Sequence, residues 1–450
     1  MGLITAAAGL AYADSFWGVV QFDDHPSFLD FPPAASWAAW WDSLPAIRPL
    51  LKASYVFNNT SGWGVAGFHL VNLALHLANS LLVYGLLTRL VHPARRGLPT
   101  GPSIPPAPVP AAIPLVTALV FALHPAQTEA VTYLSGRSVS LMAFFYLSSM
   151  MFYSRGTPWG RGLSLGAFGL ALLVKETAVT LPAALLLWEV AARPARRLPG
   201  ILAHQWPHWL MLAAALATFG AAPIYAPYLQ ASLTTRPIGE NLVLQVHAVW
   251  YLLEGAVLVH PPNIDPDLAW AMGHSPPLAV KGLVLAGLAG WGVLAVFKRP
   301  ILGFGLVWFF LHLAPTNSLI PRYDPVNDRQ LYLPIMGLAW ALGVAGVGGW
   351  EKLPGTVRAI PRGILPGTAV LVVIWLGLGT ASRNLDYRSE VALWEATAAQ
   401  SPRKGRVFNN LGYAYHRAGE TQSAVRAYQT ALELEPDNPK ADYNLKTLKR

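Results

Sequence analysis

The segment from Val65 to Thr88 reads VAGFHLVNLALHLANSLLVYGLLT and contains no Asp, Glu, Lys or Arg before Arg89 follows it. A run of this length can cross a bilayer, because a spanning helix needs about 20 apolar residues. The whole chain of 450 residues has the same character: 54% of its residues are hydrophobic, only 12% are charged, and its mean hydropathy is +0.39. Soluble proteins carry about 25% charged residues. The sequence therefore predicts an integral membrane protein.

Further apolar segments, each bounded by charge, proline or glycine, predict an all-α, polytopic bundle of about 11–12 transmembrane helices. They cover residues 3–20, 113–124, 138–153, 162–174, 177–192, 208–228, 242–259, 278–297, 301–314, 331–349 and 364–381. Three of them are short for a span and fit helices buried among neighbours. Residues 3–20 lack a clear cleavage site, which favours a short first span or a signal anchor.

Basic residues follow alternate segments, and the positive-inside rule assigns the loops that carry them to the cytoplasm. These residues are Arg89, Arg95, Arg96, Arg155, Arg161, Arg193, Arg196, Arg197, Lys298, Arg299, Lys352, Arg358 and Arg362. Loops 21–62, 124–137, 175–176 and 315–330 are then on the external face. The assignment requires that residues 242–259 are re-entrant or that a neighbouring segment does not span. The number of crossings is then odd, about eleven, and the C-terminal tail is outside the cytoplasm.

Composition excludes several kinds of site. The chain has no cysteine, which rules out disulfides, thiolate catalysis and cysteine metal sites. Its net charge is +9, but the basic residues lie at the ends of apolar segments, which is not typical of a nucleic-acid surface. His69 and His76 lie within an apolar span, where helix–helix hydrogen bonds are more common than metal binding. The composition favours a bacterial inner membrane.

The tail differs from the rest of the chain. Residues 383–450 are densely charged, whereas residues 1–382 form the predicted membrane domain with its external loop 21–62. The tail carries the spacing of a tetratricopeptide repeat. The pattern consists of Phe408, Leu411, Gly412, Tyr415, Ala424, Tyr428, Ala431 and Pro436. Trp394 matches Tyr428 one period earlier and Leu445 matches Leu411 one period later. This predicts one full repeat between two half repeats, serving as a structural cap or as a platform for a partner.

Polar residues collect on the predicted external face, beginning with the adjacent pair Asp23–Asp24 just past the first apolar segment. The other candidates on this face are Arg48, His124, Glu129, Arg137, Lys175, Glu176 and Arg329. Taken singly, an arginine near a helix end usually reaches to the headgroups, and Lys175–Glu176 fits an ion pair or a sharp turn. Together, cations at membrane depth suit a lipid-linked phosphate, and a carboxylate beside them can serve as a general base. Glycosyl transfer from a polyprenyl-phosphate sugar requires this combination.

The polar strings resemble those of one known group, the GT-C glycosyltransferases with C-terminal tetratricopeptide repeats, which includes the transmembrane and tetratricopeptide-repeat-containing O-mannosyltransferases. They run in family order along nearly the whole chain. The strings are Phe22-Asp23-Asp24-His25-Pro26, Arg48-Pro49-Leu50, Phe68 to His76, Ala122 to Val131, Gly136-Arg137, Lys175-Glu176-Thr177, Asn317 to Pro321 and Asp328 to Pro334. Two features depart from the family: the repeat array is shorter than in the eukaryotic enzymes, and the first apolar segment is short.

The resemblance implies a GT-C-like fold and a membrane glycosyltransferase that acts on a hydroxyl acceptor, expected to be a protein, on the periplasmic or external face. It implies that the acid of the first external loop is catalytic, and that acid corresponds to Asp23 or Asp24. A polyprenyl- or dolichyl-phosphate sugar would be the donor, with Arg137, Lys175 and Arg329 as candidates to hold its phosphate. No metal is expected, although two acids could bind a divalent cation.

Two other functions stay open on the sequence. The chain could be a non-catalytic membrane scaffold that recruits partners through its repeat, with the acids and cations lining an inactive pocket. It could also be a transporter of lipid-linked sugars. Catalysis predicts that Asp24, Arg137, Lys175 and Arg329 approach one cavity on the face that carries the repeat.

Overall fold

The computed structural model describes residues 1–91, 109–193, 196–258, 260–273, 276–350 and 364–448. Five of the predicted cytoplasmic cations lie outside the described residues. They are Arg95, Arg96, Lys352, Arg358 and Arg362. Within the described ranges every regular element is helical, so the predicted all-α class is confirmed.

Among the described residues, seventeen α-helices form the body, which comes first in the chain. They are α1 (Gly2–Ala11), α2 (Trp37–Asp42), α3 (Pro49–Ser61), α4 (Gly64–Val91), α5 (Ala112–Leu123), α6 (Thr128–Val131), α7 (Arg137–Tyr153), α8 (Pro158–Val174), α9 (Leu181–Ala192), α10 (Leu198–Ala221), α11 (Ala226–Thr235), α12 (Ile238–Leu258), α13 (Leu268–Gly273), α14 (Leu278–Lys298), α15 (Pro300–Leu313), α16 (Pro334–Trp350) and α17 (Ile364–Asp386). The tail adds α18 (Glu390–Gln400), α19 (Gly405–Arg417), α20 (Thr421–Leu434) and α21 (Pro439–Leu448).

Three of the described helices are long and apolar enough to cross a membrane, namely Gly64–Val91, Leu278–Lys298 and Pro366–Asp386. The pair α10 and α11 passes the same test as one unit, but it is bent by 77° at its break. Large apolar side chains on the outside of these helices, such as Leu283, which is 75% exposed, fit contact with lipid rather than water. The chain is therefore an integral membrane protein, and the number of its crossings stays a prediction.

Several predicted segments differ from the helices that form. The first is a helix of only 10 residues followed by a 3-10 turn, which is shorter than the expected span over 3–20. Residues 242–259 were expected to be re-entrant or to lie beside a segment that does not span. Residues 242–258 fall in the single helix α12, and the sharp bend lies in the preceding pair α10 and α11. Whether the segment is re-entrant or a neighbour does not span stays a prediction. The helix α17 ends at Asp386, four residues past the predicted boundary at residue 382, and the division into two domains stays a prediction.

Glycines let the helices of the body pack closely. A Cβ at Gly305 on α15 would overlap the carbonyl oxygen of Gly337 on α16, so both positions must lack a side chain. Beside this crossing the buried indole of Trp308 donates to the Leu333 carbonyl at 2.8 Å, and Trp340 donates to the Ile301 carbonyl at 2.8 Å. Small residues and satisfied indoles thus lock α15 against α16, and the loop that joins them holds part of the site.

The histidines of α4 make hydrogen bonds to neighbouring elements, and one of these bonds, from His76 to α5, is of the predicted helix–helix kind. One ring nitrogen of His76 lies 2.9 Å from the Tyr332 hydroxyl, and the other lies 3.0 Å from the Ala122 carbonyl oxygen. His69 lies 3.1 Å from the carbonyl oxygen of Gly18. Because unpaired polar groups are costly in lipid, these contacts fix α4 against its neighbours.

The tail docks on the loops of the body through a buried carboxylate. Asp265, which is 7% exposed, accepts a bond from Lys404 at 2.5 Å and also pairs with Arg406. Arg406 reaches on to Asp324 at 2.8 Å. Ser401 donates to the Asp265 carbonyl at 2.9 Å. The network joins the repeat to the end of the body that carries the polar loops. Because removal of one partner from a buried ion pair is strongly destabilising, each of these residues is needed to keep the tail docked.

Candidate functional site

The first loop is clamped to the turn before α7 by Asp24. Its carboxylate accepts bonds from the backbone N–H of Gln21 at 2.9 Å and of Ser135 at 2.7 Å, one at each oxygen. Burial raises the pKa of Asp24 to about 7, and the two N–H donors oppose that rise. Both oxygens are therefore occupied by the backbone, which suits a positioning role.

Asp23 has a different environment from its neighbour. Its backbone N–H donates to the Tyr133 hydroxyl at 2.9 Å, and its side chain is half-buried. Burial raises the pKa of Asp23, while the Arg329 guanidinium opposes the rise. The carboxylate thus lies beside a cation and next to solvent, where it can accept a proton.

The backbone is strained at two places beside these acids. Phe22 has a φ of 31° and Arg48 has a φ of 54°, in the left-handed region that non-glycine residues rarely adopt. The Phe22 ring packs edge-on against Trp394 of the tail, with centroids 5.4 Å apart. Arg48 pairs with Glu176 at 2.7 Å. Such strain persists only where the surroundings enforce it, and it tends to cluster at functional sites.

A narrow pocket opens between α7, α15 and the loop before α16. It is lined by Val139, Met142, Lys175, Thr177, His312, Thr316, Arg322, Asn327, Arg329, Gln330, Tyr332, Leu333 and Pro334. Its free volume is about 50 Å³, room for about four water molecules, which matches a phosphate-sized group rather than a whole sugar.

The pocket contains polar atoms that lack partners. Arg322 Nη1, both amide atoms of Gln330 and the Asn327 side-chain oxygen are buried, with no hydrogen-bond partner among the described residues. Each such atom costs about 1–3 kcal/mol if it stays unsatisfied. Their grouping at one cavity indicates a site that a polar ligand completes.

Like charges crowd this pocket. Burial lowers the pKa of Lys175 well below its usual value, and Arg48, Arg329 and Arg322 lower it further. Burial likewise lowers the pKa of Arg322 to about 10, with Arg329 as the next cause. An anion between these side chains would relieve the repulsion, so the electrostatics favour a negatively charged ligand.

Arg329 connects the cations to the acids. Its Nε lies 3.4 Å from a Glu129 oxygen, and its backbone N–H donates to the other Glu129 oxygen at 3.0 Å. Burial alone would lower the pKa of Arg329, but Glu129, Asp23 and Asp324 outweigh it and hold the pKa above its usual value. Burial raises the pKa of Glu129 to about 7, and Arg329 opposes that rise. One guanidinium therefore faces the pocket and the first loop together.

Some of the predicted phosphate-binding candidates lie away from the pocket. Arg137 is fully buried and donates to Asn72 at 2.6 Å, to the Ser54 carbonyl at 2.9 Å and to the Phe68 carbonyl at 3.1 Å. Its guanidinium also lies over the rings of Tyr55 and Phe68. The expectation that it approaches the cavity is therefore corrected, because protein acceptors occupy its donors.

Four other candidates have local partners. His124 is buried and accepts a bond from the Ala126 N–H at 3.2 Å, a cap after α5. Arg48 and Glu176 pair with each other at the rim, next to Lys175. Glu129 pairs with the side chain and the backbone N–H of Arg329. The structure thus brings Lys175 and Arg329 into the pocket and leaves the others around it.

Sequence reasoning missed Arg322, Gln330 and Tyr133. Arg322 lies between two of the matching strings, directly after Pro321, in a loop already assigned to the same face as Arg329. That position and its charge were a usable signal. Nothing in the sequence indicated that Tyr133 would reach Asp23, because that contact depends on how the loops pack.

Metal binding has little support in the donor set. In the ranges that the structure describes, no group of three or more His, Asp or Glu side chains is arranged to hold a metal ion. Asp24 has both oxygens on backbone N–H groups. That the site needs no metal, with a divalent cation at Asp23–Asp24 as the minor alternative, stays a prediction.

Comparison with known proteins identifies the tail first. A family model described as tetratricopeptide repeat matches residues 405–438, which confirms the predicted repeat. In the structure α19 and α20 form this repeat, and α18 and α21 flank it. No solved structure matches the chain.

The body matches curated transferases. The chain is similar to protein O-mannosyl-transferases. It is 33% identical to Protein O-mannosyl-transferase Tmtc1 of Drosophila melanogaster over 99% of this chain and 59% of that protein. It is 25% identical to Protein O-mannosyl-transferase Tmtc3 of the same organism, over 90% of this chain and 50% of that protein. It is also 25% identical to human Protein O-mannosyl-transferase TMTC1, over 100% of this chain and 56% of that protein. The predicted resemblance is confirmed, and the chain spans about half the length of the curated relatives it matches.

Proposed function

We propose that this chain is a membrane glycosyltransferase. It moves a sugar from a polyprenyl-phosphate-linked donor to a hydroxyl group of a protein on the non-cytoplasmic face. The observation that carries the proposal is the pocket in which Lys175, Arg322 and Arg329 converge beside orphaned polar atoms and next to Asp23. The similarity to proteins named O-mannosyl-transferases supports a sugar donor and a protein acceptor.

The donor phosphate would occupy the pocket. Lys175 contributes a compact charge, while Arg322 and Arg329 contribute donors that match phosphate oxygens. The volume of about 50 Å³ is too small for the sugar as well, so the sugar would lie outside the pocket. The partnerless amide of Gln330 and side-chain oxygen of Asn327 can bind the polar groups of the donor. The polyprenyl chain would lie in the surrounding lipid.

Asp23 is proposed as the general base. Its carboxylate accepts the proton of the acceptor hydroxyl while that oxygen attacks the anomeric carbon of the sugar. The bond from this carbon to the phosphate oxygen breaks, and the bonding electrons leave with the phosphate. The cations stabilise the charge that develops there, which is where electrostatic catalysis is most effective. Asp24 positions the loop through its two backbone contacts.

The test is sugar transfer by the full chain in proteoliposomes, with radiolabelled mannose on polyprenyl phosphate as donor and a serine-containing peptide as acceptor. We expect Asp23→Asn to lower kcat by about 10²–10⁴-fold, the usual contribution of a general base. Asp14→Asn is the control, because it removes an exposed carboxylate whose ion pair with Arg388 lies away from the pocket.

Two results would contradict the proposal. Full activity in Asp23→Asn would refute the assignment of the base. The proposal is also refuted if wild-type protein transfers no sugar from any donor tried. Recruitment of partners would then favour the scaffold function, and movement of the lipid-linked sugar across the bilayer would favour the transporter function.

A further inference from the structure

A second group of charged and polar side chains lies at the opposite end of the body from the pocket. Arg161 lies in the first turn of α8, whereas Lys175, which lines the pocket, follows the last residue of the same helix. Because a helix rises about 1.5 Å per residue, the step from residue 161 to residue 175 corresponds to about 20 Å along its axis. The proposed transfer chemistry therefore does not use this group.

Three arginines from two turns of the chain form its charged part, which we call the arginine cluster: Arg161, Arg193 and Arg196. Glu189 at the end of α9 is 1% exposed and pairs with Arg193 at 3.1 Å and with Arg196 at 3.3 Å. Arg161 Nη1 donates to the Nδ1 atom of His204 at 3.3 Å. A ring nitrogen that accepts a bond is unprotonated, so His204 is neutral in this arrangement. The three guanidinium groups thus share one carboxylate, and positive charge is in excess.

The arginines of the cluster lie close enough together to repel one another. Arg161, Arg193 and Arg196 all act electrostatically on the ring of His204, although they come from α8 and from the turn between α9 and α10. An anion between them would relieve the repulsion and would accept several charge-assisted hydrogen bonds at once. The electrostatics of this end of the body therefore favour a negatively charged ligand.

Polar atoms without partners surround the cluster. Arg161 Nε, both amide atoms of Gln205 and the Nδ1 atom of His208 are buried, with no hydrogen-bond partner among the described residues. Gln205 has no exposed surface. The ring of Tyr153 lies between the two histidines, with its centroid 6.0 Å from that of His204 and 5.8 Å from that of His208. Because native proteins rarely leave such groups unsatisfied, their grouping indicates a site that an external polar group completes.

The surroundings of the cluster are apolar and exposed. Trp159, two positions before Arg161, is 83% exposed, and Trp206 of α10 is 61% exposed. Exposed tryptophans near the ends of apolar helices are typical of the boundary between lipid and water. Leu163 and Leu202 are exposed further along the same two helices. A ligand at the cluster would therefore lie at the depth of the lipid headgroups, with apolar side chains beside it.

We propose that the arginine cluster binds the phosphate group of an anionic phospholipid, at the end of the body opposite the donor pocket. Arg161 and Arg196 bind the phosphate oxygens, and the acyl chains lie against Leu163 and Leu202. An anionic headgroup is preferred because a zwitterionic lipid brings its own cation to a cluster that already has excess positive charge. The bound lipid joins the start of α8 to the turn between α9 and α10. The inference uses no residue of the pocket, so it does not depend on the proposed function.

The test is a lipid titration of the full chain after delipidation in detergent. Native mass spectrometry measures the Kd of the first bound phosphatidylglycerol and, separately, of phosphatidylcholine with the same acyl chains. We expect phosphatidylglycerol to bind wild-type protein about tenfold more tightly or better, and Arg161→Gln to weaken its binding about tenfold, the effect of losing one charge-assisted bond. Arg161→Lys keeps the charge and should retain most of the preference, which keeps the test decisive if the glutamine variant folds poorly.

Arg299→Gln is the matched control, because it removes the same charge from an exposed arginine at the same end of the body. Arg299 precedes α15, and His312 near the other end of that helix lines the pocket. We expect this variant to leave the Kd for phosphatidylglycerol unchanged. Equal weakening in Arg299→Gln and Arg161→Gln would show that binding follows net charge, and it would overturn the inference.

Two further outcomes would also overturn it. One is an equal Kd for phosphatidylglycerol in wild-type protein and in both Arg161 variants. The other is displacement of the bound lipid by glycerol phosphate, the soluble headgroup fragment, which would assign the cluster to a soluble phosphate compound. We expect no displacement, because the fragment lacks the acyl chains. Since no sugar donor is present in the titration, the result is independent of whether the protein transfers a sugar.

Discussion

Arg322→Gln should make the protein more stable and less able to bind its donor. The side chain lies in the pocket with Lys175 and Arg329, and its Nη1 has no partner among the described residues. Burial and Arg329 lower its pKa to about 10, well below that of a free guanidinium. This difference corresponds to about 3 kcal/mol against the charged form, an upper bound because the side chain is partly exposed.

Replacement by the neutral amide removes most of that cost and relieves the repulsion on Lys175. We expect the free energy of unfolding to increase by about 1–2 kcal/mol, which would raise the apparent Tm of the ligand-free protein by a few degrees. The loss of one charge-assisted bond to phosphate should raise the KM for the lipid-linked donor about 10–100-fold. Thermal unfolding in nanodiscs and initial transfer rates measure the two effects.

The matched variant is Arg137→Gln, the same substitution at a buried arginine outside the pocket. Arg137 already donates to Asn72 and to the carbonyls of Ser54 and Phe68, so its removal leaves acceptors unpaired. We expect it to lose about 2–4 kcal/mol of stability, with little change in the KM of the protein that remains folded. A lower Tm in Arg322→Gln together with an unchanged donor KM would show that Arg322 is structural and would refute the phosphate pocket.

Four further outcomes follow from the site. Burial raises the pKa of Asp23, so kcat/KM should fall as the pH drops through an apparent pKa above the ordinary aspartate value of about 3.9. A pH profile that is flat down to pH 4 would exclude Asp23 as the base. Asp24→Asn replaces one acceptor with a donor that faces a backbone N–H, and should lower stability by about 1–3 kcal/mol in thermal unfolding; an unchanged Tm would contradict the clamp. Gly136→Ala places a Cβ on the carbonyl oxygen of Glu129 and should sharply reduce the yield of folded protein, whereas Gly2→Ala, with open space around it, should not. Asp265→Asn leaves Lys404 and Arg406 without their buried partner and should expose residues 387–404 to limited proteolysis; equal protection in the variant would refute the docking network.

The sequence predicts the class of the fold well, because that class depends on local composition. Apolar runs such as 278–297 and 301–314 coincide within a residue with α14 and α15. The positions of Lys175 and Arg329 follow from the charge and order of the loops.

Features that depend on tertiary packing cannot be predicted from the sequence. The external loop 21–62 forms α2 and α3, and between them Arg48 has a left-handed backbone conformation and pairs with Glu176. The partners of Arg137 are carbonyls on other helices, which have no sequence signature. The choice between Asp23 and Asp24 depends on where two backbone N–H groups point, and only the packed loops specify that.

The site is assembled from groups that destabilise the fold when they stand alone. Phe22 and Arg48 have strained backbones, Lys175 and Arg322 repel each other, and the amide of Gln330 lacks a partner. Evolution toward stability alone would remove each of these features, since each costs on the order of 1–3 kcal/mol. They are grouped around one phosphate-sized pocket and one half-buried carboxylate. A structural role does not explain that grouping, whereas a bound anion would compensate the charges and the orphaned donors at once. Donor phosphate should therefore raise the Tm of the wild-type protein more than that of Arg322→Gln, and an equal shift in both would refute the argument.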